Sequence, residues 1–145
     1  MDYFISNRLG RTIILKLHEG DLVLESIKTL CEKEKIKTAV VTSGIGTLDQ
    51  GRVHRISTIG NPPVQVTDTM DQTPLEVASI SGIIANGDLH IHTVFGAPGQ
   101  TWAGHLMEQC RTLFFGEIVI QELLGVDLER RKNEKGAPEL FTKGL

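Results

Sequence analysis

Residues 75–106 read LEVASISGIIANGDLHIHTVFGAPGQTWAGHL, and this stretch decides the fold because it holds two turn signals between apolar segments. Asn86-Gly87 is typical of a two-residue type I′ hairpin turn. Pro98-Gly99 also indicates a turn. The pattern therefore predicts an antiparallel meander, with one strand over Leu75–Ala85, a second over Leu89–Phe95 and a third after the second turn.

Three histidines lie on this meander at a spacing that brings their side chains together. His90 and His92 are separated by one residue, so both point to the same face of a strand. His92 and His105 are equidistant from Pro98-Gly99, so a simple hairpin places them directly opposite each other, with Cβ atoms about 4.5–5.5 Å apart. Three neutral imidazoles within this reach can bind zinc or another divalent transition metal. A hydrogen-bonded histidine cluster without a metal, or a bulge that spoils the register, is the alternative.

Other polar side chains are candidates for a pocket beside these histidines. Counting from the first turn places Ser81 opposite His92, so Ser79 and Ser81 share the face of the histidines and could orient a substrate or water. The same alternation turns Glu76 to the opposite face, unless a bulge at Gly82 reverses it.

A basic cluster lies farther towards the N-terminus. Arg52, His54 and Arg55 stand close together on an expected strand. The cluster could receive an anionic ligand, and the alternative is a salt-bridged protein surface.

Outside the meander, hydrophobic patterns predict further strands and one helix. Strands are expected over Arg11–Leu17, Thr38–Thr42 and Arg52–Ser57. Leu22–Lys35 carries apolar residues at three- and four-residue spacing and therefore predicts a helix that Asp21 can cap. The glycine-rich segment Ser43–Gly46 predicts a tight turn between two strands.

The composition is that of an ordinary soluble globular protein: 145 residues, 40% hydrophobic and 23% charged, which suits one domain over residues 1–145. The formal net charge of −3 gives no electrostatic reason to bind nucleic acid. No apolar run approaches the ~20 residues of a membrane span, so no membrane association is expected. Cys31 and Cys110 lie far apart without a CxxC motif, which predicts free, buried thiols and a cytoplasmic location.

Several segments resemble prokaryotic members of the plant- and prokaryote-conserved (PPC) domain family. The resemblance is carried by SGIGTL at 43–48, by PLEVASISGII and its continuation to AGHLMEQC at 103–110, by GEIVIQEL at 116–123 and by LERRKNEKGAPEL at 128–140. Together these matches span roughly residues 10–141, and His-x-His followed by Gly-His-Leu is their most specific part. The family usually has Gly-Gly-His-Leu, whereas Ala103 stands first here. The AT-hook of the plant proteins, an Arg-Gly-Arg-Pro motif, does not occur in this sequence.

The resemblance implies an α+β fold in a single domain, with a largely antiparallel sheet and flanking helices. It further implies a homotrimer and a metal bound by the histidines, and it favours a strand for Leu113–Leu123, whose length also suits a helix. Glu76 and Glu117 match acidic positions of the family, so each could orient a metal ligand or act as a general base. The alternative for both is a carboxylate at the surface or at a subunit contact.

Two classes of function fit these features. A metal with an open coordination position favours a hydrolase or lyase that acts on a small polar molecule. The alternative is a small-ligand-sensing or DNA-associated regulatory protein in which the metal has a binding or structural role. The negative net charge and the missing AT-hook argue against DNA, and the sequence places no general base on the face of the histidines.

Overall fold

Antiparallel strands make up most of the protein, which is described by a computed structural model over residues 1–60, 62–134 and 136–142. In chain order the elements are β1 (Arg8–His18), α1 (Val23–Glu34), β2 (Thr38–Ile56), β3 (Gln65–Met70), β4 (Leu75–Ala85), β5 (Asp88–Ala97), β6 (Gln100–Leu106), β7 (Arg111–Leu124), β8 (Leu128–Lys132) and β9 (Pro138–Thr142). The expected largely antiparallel sheet is confirmed. The expected flanking helices are wrong, because α1 is the one helix within the described residues.

The predicted meander is confirmed as β4, β5 and β6. Asn86 and Gly87 have φ angles of 51° and 80°, the left-handed conformations that a type I′ turn requires at both central positions. The second turn has Pro98 followed by Gly99, whose φ is 80°. A proline followed by a left-handed glycine is typical of a type II turn. Local turn chemistry therefore determines how these three strands pair.

The N-terminal half of the sheet differs from the prediction at one point. Thr38–Ile56 is one continuous strand, so the turn expected at Ser43–Gly46 is wrong. A Cβ atom on Gly44 would lie 2.7 Å from the Ile80 side chain, and one on Gly46 would lie 2.7 Å from the backbone oxygen of Phe115. The glycines allow neighbouring strands to approach closely where the strand register shifts, and they do not reverse the chain.

β2 joins the whole sheet together. Along its first part it pairs with β4 and β7, and near its end it pairs with β3 and β6. Since β4, β5 and β6 are themselves consecutive neighbours, the pairs Val53–Leu106 and His54–His105 close β2, β4, β5 and β6 into a ring. Apolar side chains of these strands fill its interior, with Phe95 and Ile91 fully buried.

The predicted helix is confirmed as α1, but its N-terminus is not built as expected. Leu22 is the N-cap residue and no side chain caps the helix. The Asp21 carboxylate instead accepts a hydrogen bond of 2.8 Å from the backbone N–H of His18, which closes the turn after β1. Val23, Ile27 and Cys31 form the buried stripe of the helix, which joins the same core as the sheet.

The two cysteines are free and buried, as expected. Burial raises the pKa of the Cys110 thiol to about 11. Leu113–Leu123 is confirmed as a strand, within β7, and it lies between β1 and β2.

No helix among the described residues is long and apolar enough to cross a membrane.

We predict that Phe95→Ala lowers the free energy of unfolding by about 3–5 kcal/mol, because the ring is fully buried inside the closed ring of strands. Urea denaturation followed by circular dichroism measures this loss. Ile59→Ala is the control, because that side chain is fully exposed and its removal should change stability by less than about 0.5 kcal/mol. Equal effects of the two substitutions would contradict the assigned core.

Candidate metal centre

The alternation of β5 places two histidines on the outer face of the closed ring. Ile91, Thr93 and Phe95 are buried, so His90 and His92 point outwards between them. Across the second turn, His92 pairs directly with His105 on β6, which is the register predicted from the sequence. We call this outer surface the histidine face.

The three imidazoles converge closely enough to share one ion. The Nε2 atoms of His90 and His92 are 3.2 Å apart, close to the about 3.3 Å that separates two nitrogens at 2.0–2.1 Å from a tetrahedral zinc. The ring of His105 lies with its centroid 5.0 Å from that of His90 and 5.7 Å from that of His92. One nitrogen from each residue falls within 4.8 Å of the others. The donor set therefore fits a divalent transition metal.

The surroundings of His90 and His105 keep these two imidazoles in the form that binds metals. Burial is the main cause that lowers the pKa of His90 and also the pKa of His105. Positive charge on Arg130 lowers both pKa values further, whereas Asp88 opposes the shift at His90. A lowered pKa leaves an imidazole neutral near pH 7, with its lone pair available to a metal.

A fourth histidine stands beside this group. His54 on β2 pairs directly with His105, so His92, His105 and His54 form a row across three adjacent strands. The Nδ1 atom of His54 lies 3.2 Å from the Thr67 hydroxyl, which orients the ring. The sequence had placed His54 only in a basic cluster.

The residues of that basic cluster contact different partners in the structure. The Arg55 guanidinium forms an ion pair of 2.6 Å with Asp68 on β3. Arg52 donates a hydrogen bond of 2.7 Å to the Gln109 side chain. The expectation of a salt-bridged surface therefore holds for Arg55, and His54 is the member of the cluster that lies beside the candidate metal site.

A cavity of about 710 Å³ opens next to the histidines, and we call it the histidine cavity. It is large enough for a small molecule. Its lining comes from strands that are far apart in the sequence: His54, Arg55, Ile56, Gln65, Asp88, Leu89, His90, His92, Ala103, Gly104, His105, Arg130 and Pro138.

Ser79 and Ser81 lie on the histidine face, where the sequence placed them. Ser81 pairs with His92 and Ser79 pairs with Val94. Both serines are on β4, whereas the histidine cavity opens towards β6 and β2 on the other side of β5. The two hydroxyls therefore flank the histidines and do not line the cavity.

The placement predicted for Glu76 is wrong. A bulge between Val77 and Ser79 shifts the register, so Glu76 pairs with Gly96 and points to the same outer face as the histidines. The bulge is not at Gly82, the position that the sequence analysis allowed, but near Ala78, closer to the start of the strand. Glu76 nevertheless lines a separate cavity of about 620 Å³.

Glu117 is not brought to the histidines either. It lies on the outer face of β7, paired with Lys16 on one side and Ile45 on the other. Strands β2 and β4 stand between β7 and the histidine strand β5.

Sequence reasoning missed two charged residues of the cavity. Asp88 stands two residues before His90, so strand alternation alone would have placed it on the histidine face. Arg130 lies on β8, 40 residues after His90 in the sequence, and no local pattern links the two. These two residues add a negative and a positive charge to the lining of the histidine cavity.

Comparisons with known proteins agree with this fold. Residues 5–124 match the family described as the Plants and Prokaryotes Conserved (PCC) domain. The bifunctional protein GlmU of Synechococcus sp. (strain JA-2-3B'a(2-13)) is 28% identical over 109 residues, which are 74% of this chain. The chain spans only 16% of the length of that curated relative.

Solved structures share the fold over nearly the full chain. A plant- and prokaryote-conserved (PPC) protein from Pyrococcus horikoshii is 29% identical, with a TM-score of 0.81 and complete coverage of both chains. The metal-containing protein AF0104 from Archaeoglobus fulgidus is 24% identical, with a TM-score of 0.83 over 99% of this chain and 100% of its own. A Bacteroides thetaiotaomicron protein, whose given name proposes DNA binding, is 19% identical, with a TM-score of 0.78 over 94% and 96% of the two chains. At these identities the last two show a common fold alone.

We predict that Gly104→Ala weakens the pairing of β6 with β2 and displaces His105. A Cβ atom at this position would lie 2.6 Å from the backbone oxygen of His54, so β6 must move away from β2 and carry His105 with it. The free energy of unfolding should fall by about 1–3 kcal/mol, with weaker Co²⁺ binding in a spectroscopic titration. Ala103→Gly is the matched control, because it removes an exposed methyl group and should keep Co²⁺ affinity. Unchanged stability and affinity in Gly104→Ala would contradict the close approach.

Proposed function

The chain belongs to the Plants and Prokaryotes Conserved (PCC) domain family, and from that premise we propose that it is a zinc-dependent protein that acts on a small polar molecule. His90, His92 and His105 would hold the metal. The observation that carries the proposal is the convergence of three imidazoles, within 4.8 Å of one another, at the wall of a cavity. A purely structural cluster needs no such opening.

The donor set favours zinc among the divalent metals. Imidazole nitrogens also suit nickel, copper and iron, but zinc is the usual occupant when no carboxylate-rich or redox-active set of ligands is present. Three protein ligands leave one position open, which is typical of catalytic zinc and not of structural zinc. A zinc ion held in this way lowers the pKa of a water or polarises a substrate oxygen, which is the chemistry of hydrolases and lyases.

Two residues that line the histidine cavity can accept or donate protons. The Asp88 carboxylate and the His54 imidazole both line the histidine cavity. A carboxylate and an imidazole are the groups that most often serve as general base and general acid. Their presence supports an enzyme, and either group would act as the general base that the sequence alone did not place.

DNA association is the less favoured function. The Bacteroides relative whose name proposes it shares the fold alone at 19% identity. With a formal net charge of −3, this chain has no general attraction for a phosphate backbone. A cavity that fits a small molecule favours small-molecule chemistry or sensing.

A homotrimer is the assembly that we propose for this protein, on the resemblance to the PPC family and on an apolar surface. The strand that holds Leu113–Leu123, β7, pairs on both sides, so it offers no exposed edge to a partner chain. The support now comes from the outer face of β1, β7 and β2, where Ile14, Ile45 and Phe115 are 74%, 54% and 50% exposed. These exposed apolar residues surround the Lys16–Glu117 pair of the same face, and exposed apolar residues of this size mark an interaction surface.

Our prediction for the metal is that protein purified without chelator contains close to one zinc per chain and that His92→Ala contains almost none. Elemental analysis measures both. His18→Ala is the control, because that histidine lies at the end of β1, outside the three-histidine group, and should retain the metal. Equal zinc content in wild type and His92→Ala would reject the assignment.

For the assembly, we predict a mass near three times the chain mass of 15.9 kDa by light scattering at micromolar concentration. Phe115→Asp should reduce it towards one chain, because a charge on the apolar face opposes burial. Ile59→Asp, on an exposed loop, should leave the trimer intact. A wild-type protein that scatters as a monomer would overturn the proposal.

A further inference from the structure

Arg130 lines the histidine cavity and has a buried hydrogen-bond donor without an acceptor among the described residues. Its side chain is only 12% exposed, and no described residue forms a hydrogen bond with its buried Nε atom. The nearest carboxylate oxygen, on Asp88, is 3.9 Å away, too far for a hydrogen bond, and the Asp88 side chain is 60% exposed. A buried guanidinium donor without an acceptor is costly, so its retention calls for a partner.

The position of Arg130 relative to the histidines narrows the kind of partner. Arg130 lines the same cavity as the three histidines. Its positive charge, together with burial, lowers the pKa of His90 and the pKa of His105. A guanidinium beside a divalent metal on neutral ligands is repelled unless negative charge lies between them. Asp88 is the one carboxylate among the lining residues, and it is mostly turned to solvent.

The other guanidinium in the cavity wall does not compete for this role. Arg55 is already paired with Asp68, at 2.6 Å. Arg130, whose ion pair with Asp88 is long at 3.9 Å, is therefore the arginine of the cavity that can bind an anion from solution. A guanidinium matches a carboxylate or phosphate oxygen pair through two parallel hydrogen bonds.

We infer that the small molecule bound in the histidine cavity carries an oxyanion group, a carboxylate or a phosphate, and that Arg130 binds this group. This inference rests on the proposed metal site, because the remainder of the bound small molecule would face the metal. A cavity of about 710 Å³ accommodates a metabolite of this kind. Arg130 is thus a specificity residue for negative charge, whereas the histidines hold the metal.

Anion titration of the Co²⁺-substituted protein tests the inference. Inorganic phosphate and malonate are the two probes, and the visible absorption of bound cobalt reports their entry. Arg130→Gln should weaken binding of the preferred probe by about ten- to a hundredfold. Arg130→Lys should weaken it less, because lysine keeps the positive charge but lacks the planar guanidinium that donates two parallel hydrogen bonds. The probe that binds more tightly in wild type identifies the oxyanion as phosphate or carboxylate.

Arg131→Gln is the matched control. Arg131 is the next residue of the same strand, and its side chain is 57% exposed, with the Glu129 carboxylate and the Phe141 ring as partners. This variant should bind both probes as wild type does. Thermal melts of Arg130→Gln and Arg131→Gln confirm that both are folded before the titrations are compared.

The outcomes separate this inference from the proposed metal site. If cobalt binds and Arg130→Gln has wild-type affinity for both probes, the inference is wrong while the metal site stands. If the wild type takes up no cobalt, the metal site is wrong, and calorimetry of the metal-free protein with the same probes then decides the inference. Anion binding that Arg130→Gln abolishes would support it there, and binding that is absent or unchanged would overturn it.

Discussion

The pairing of β6 with β2 is the constraint on which the rest of the structure depends. Val53 and Leu106 meet on the inside of the closed ring, where both are buried, while His54 and His105 meet on the outside. The inner contact stabilises the core by removing apolar surface from water. The outer contact completes a row of imidazoles across three strands. One backbone pairing therefore both closes the core and assembles the candidate site.

Much of this could be predicted from the sequence because the deciding signals are local. Asn86-Gly87 and Pro98-Gly99 specify tight turns, and a tight turn determines which residues face each other across a hairpin. For that reason His92 and His105 could be paired correctly from residue counting alone. The three-histidine group follows from that register, since His90 shares a strand face with His92.

The rest depends on contacts between distant parts of the chain, which residue counting does not reveal. A single bulge near Ala78 turns Glu76 to the opposite face, because strand alternation has a period of two and one extra residue reverses it. The glycines at 43–46 resemble a turn but serve a close approach between strands. Arg130 reaches the cavity only because β8 and β9 pack near the histidine face, and this is a tertiary contact without a sequence signal.

The central claim is that His90, His92 and His105 form a metal site and not merely a hydrogen-bonded cluster. Anomalous diffraction from crystals of the protein grown with zinc, recorded on both sides of the zinc absorption edge, tests it most directly. The account predicts one strong peak per chain, at about 2.0–2.1 Å from a nitrogen of each of the three histidines. A map without a peak at these residues, with the imidazoles hydrogen-bonded to one another, would contradict it.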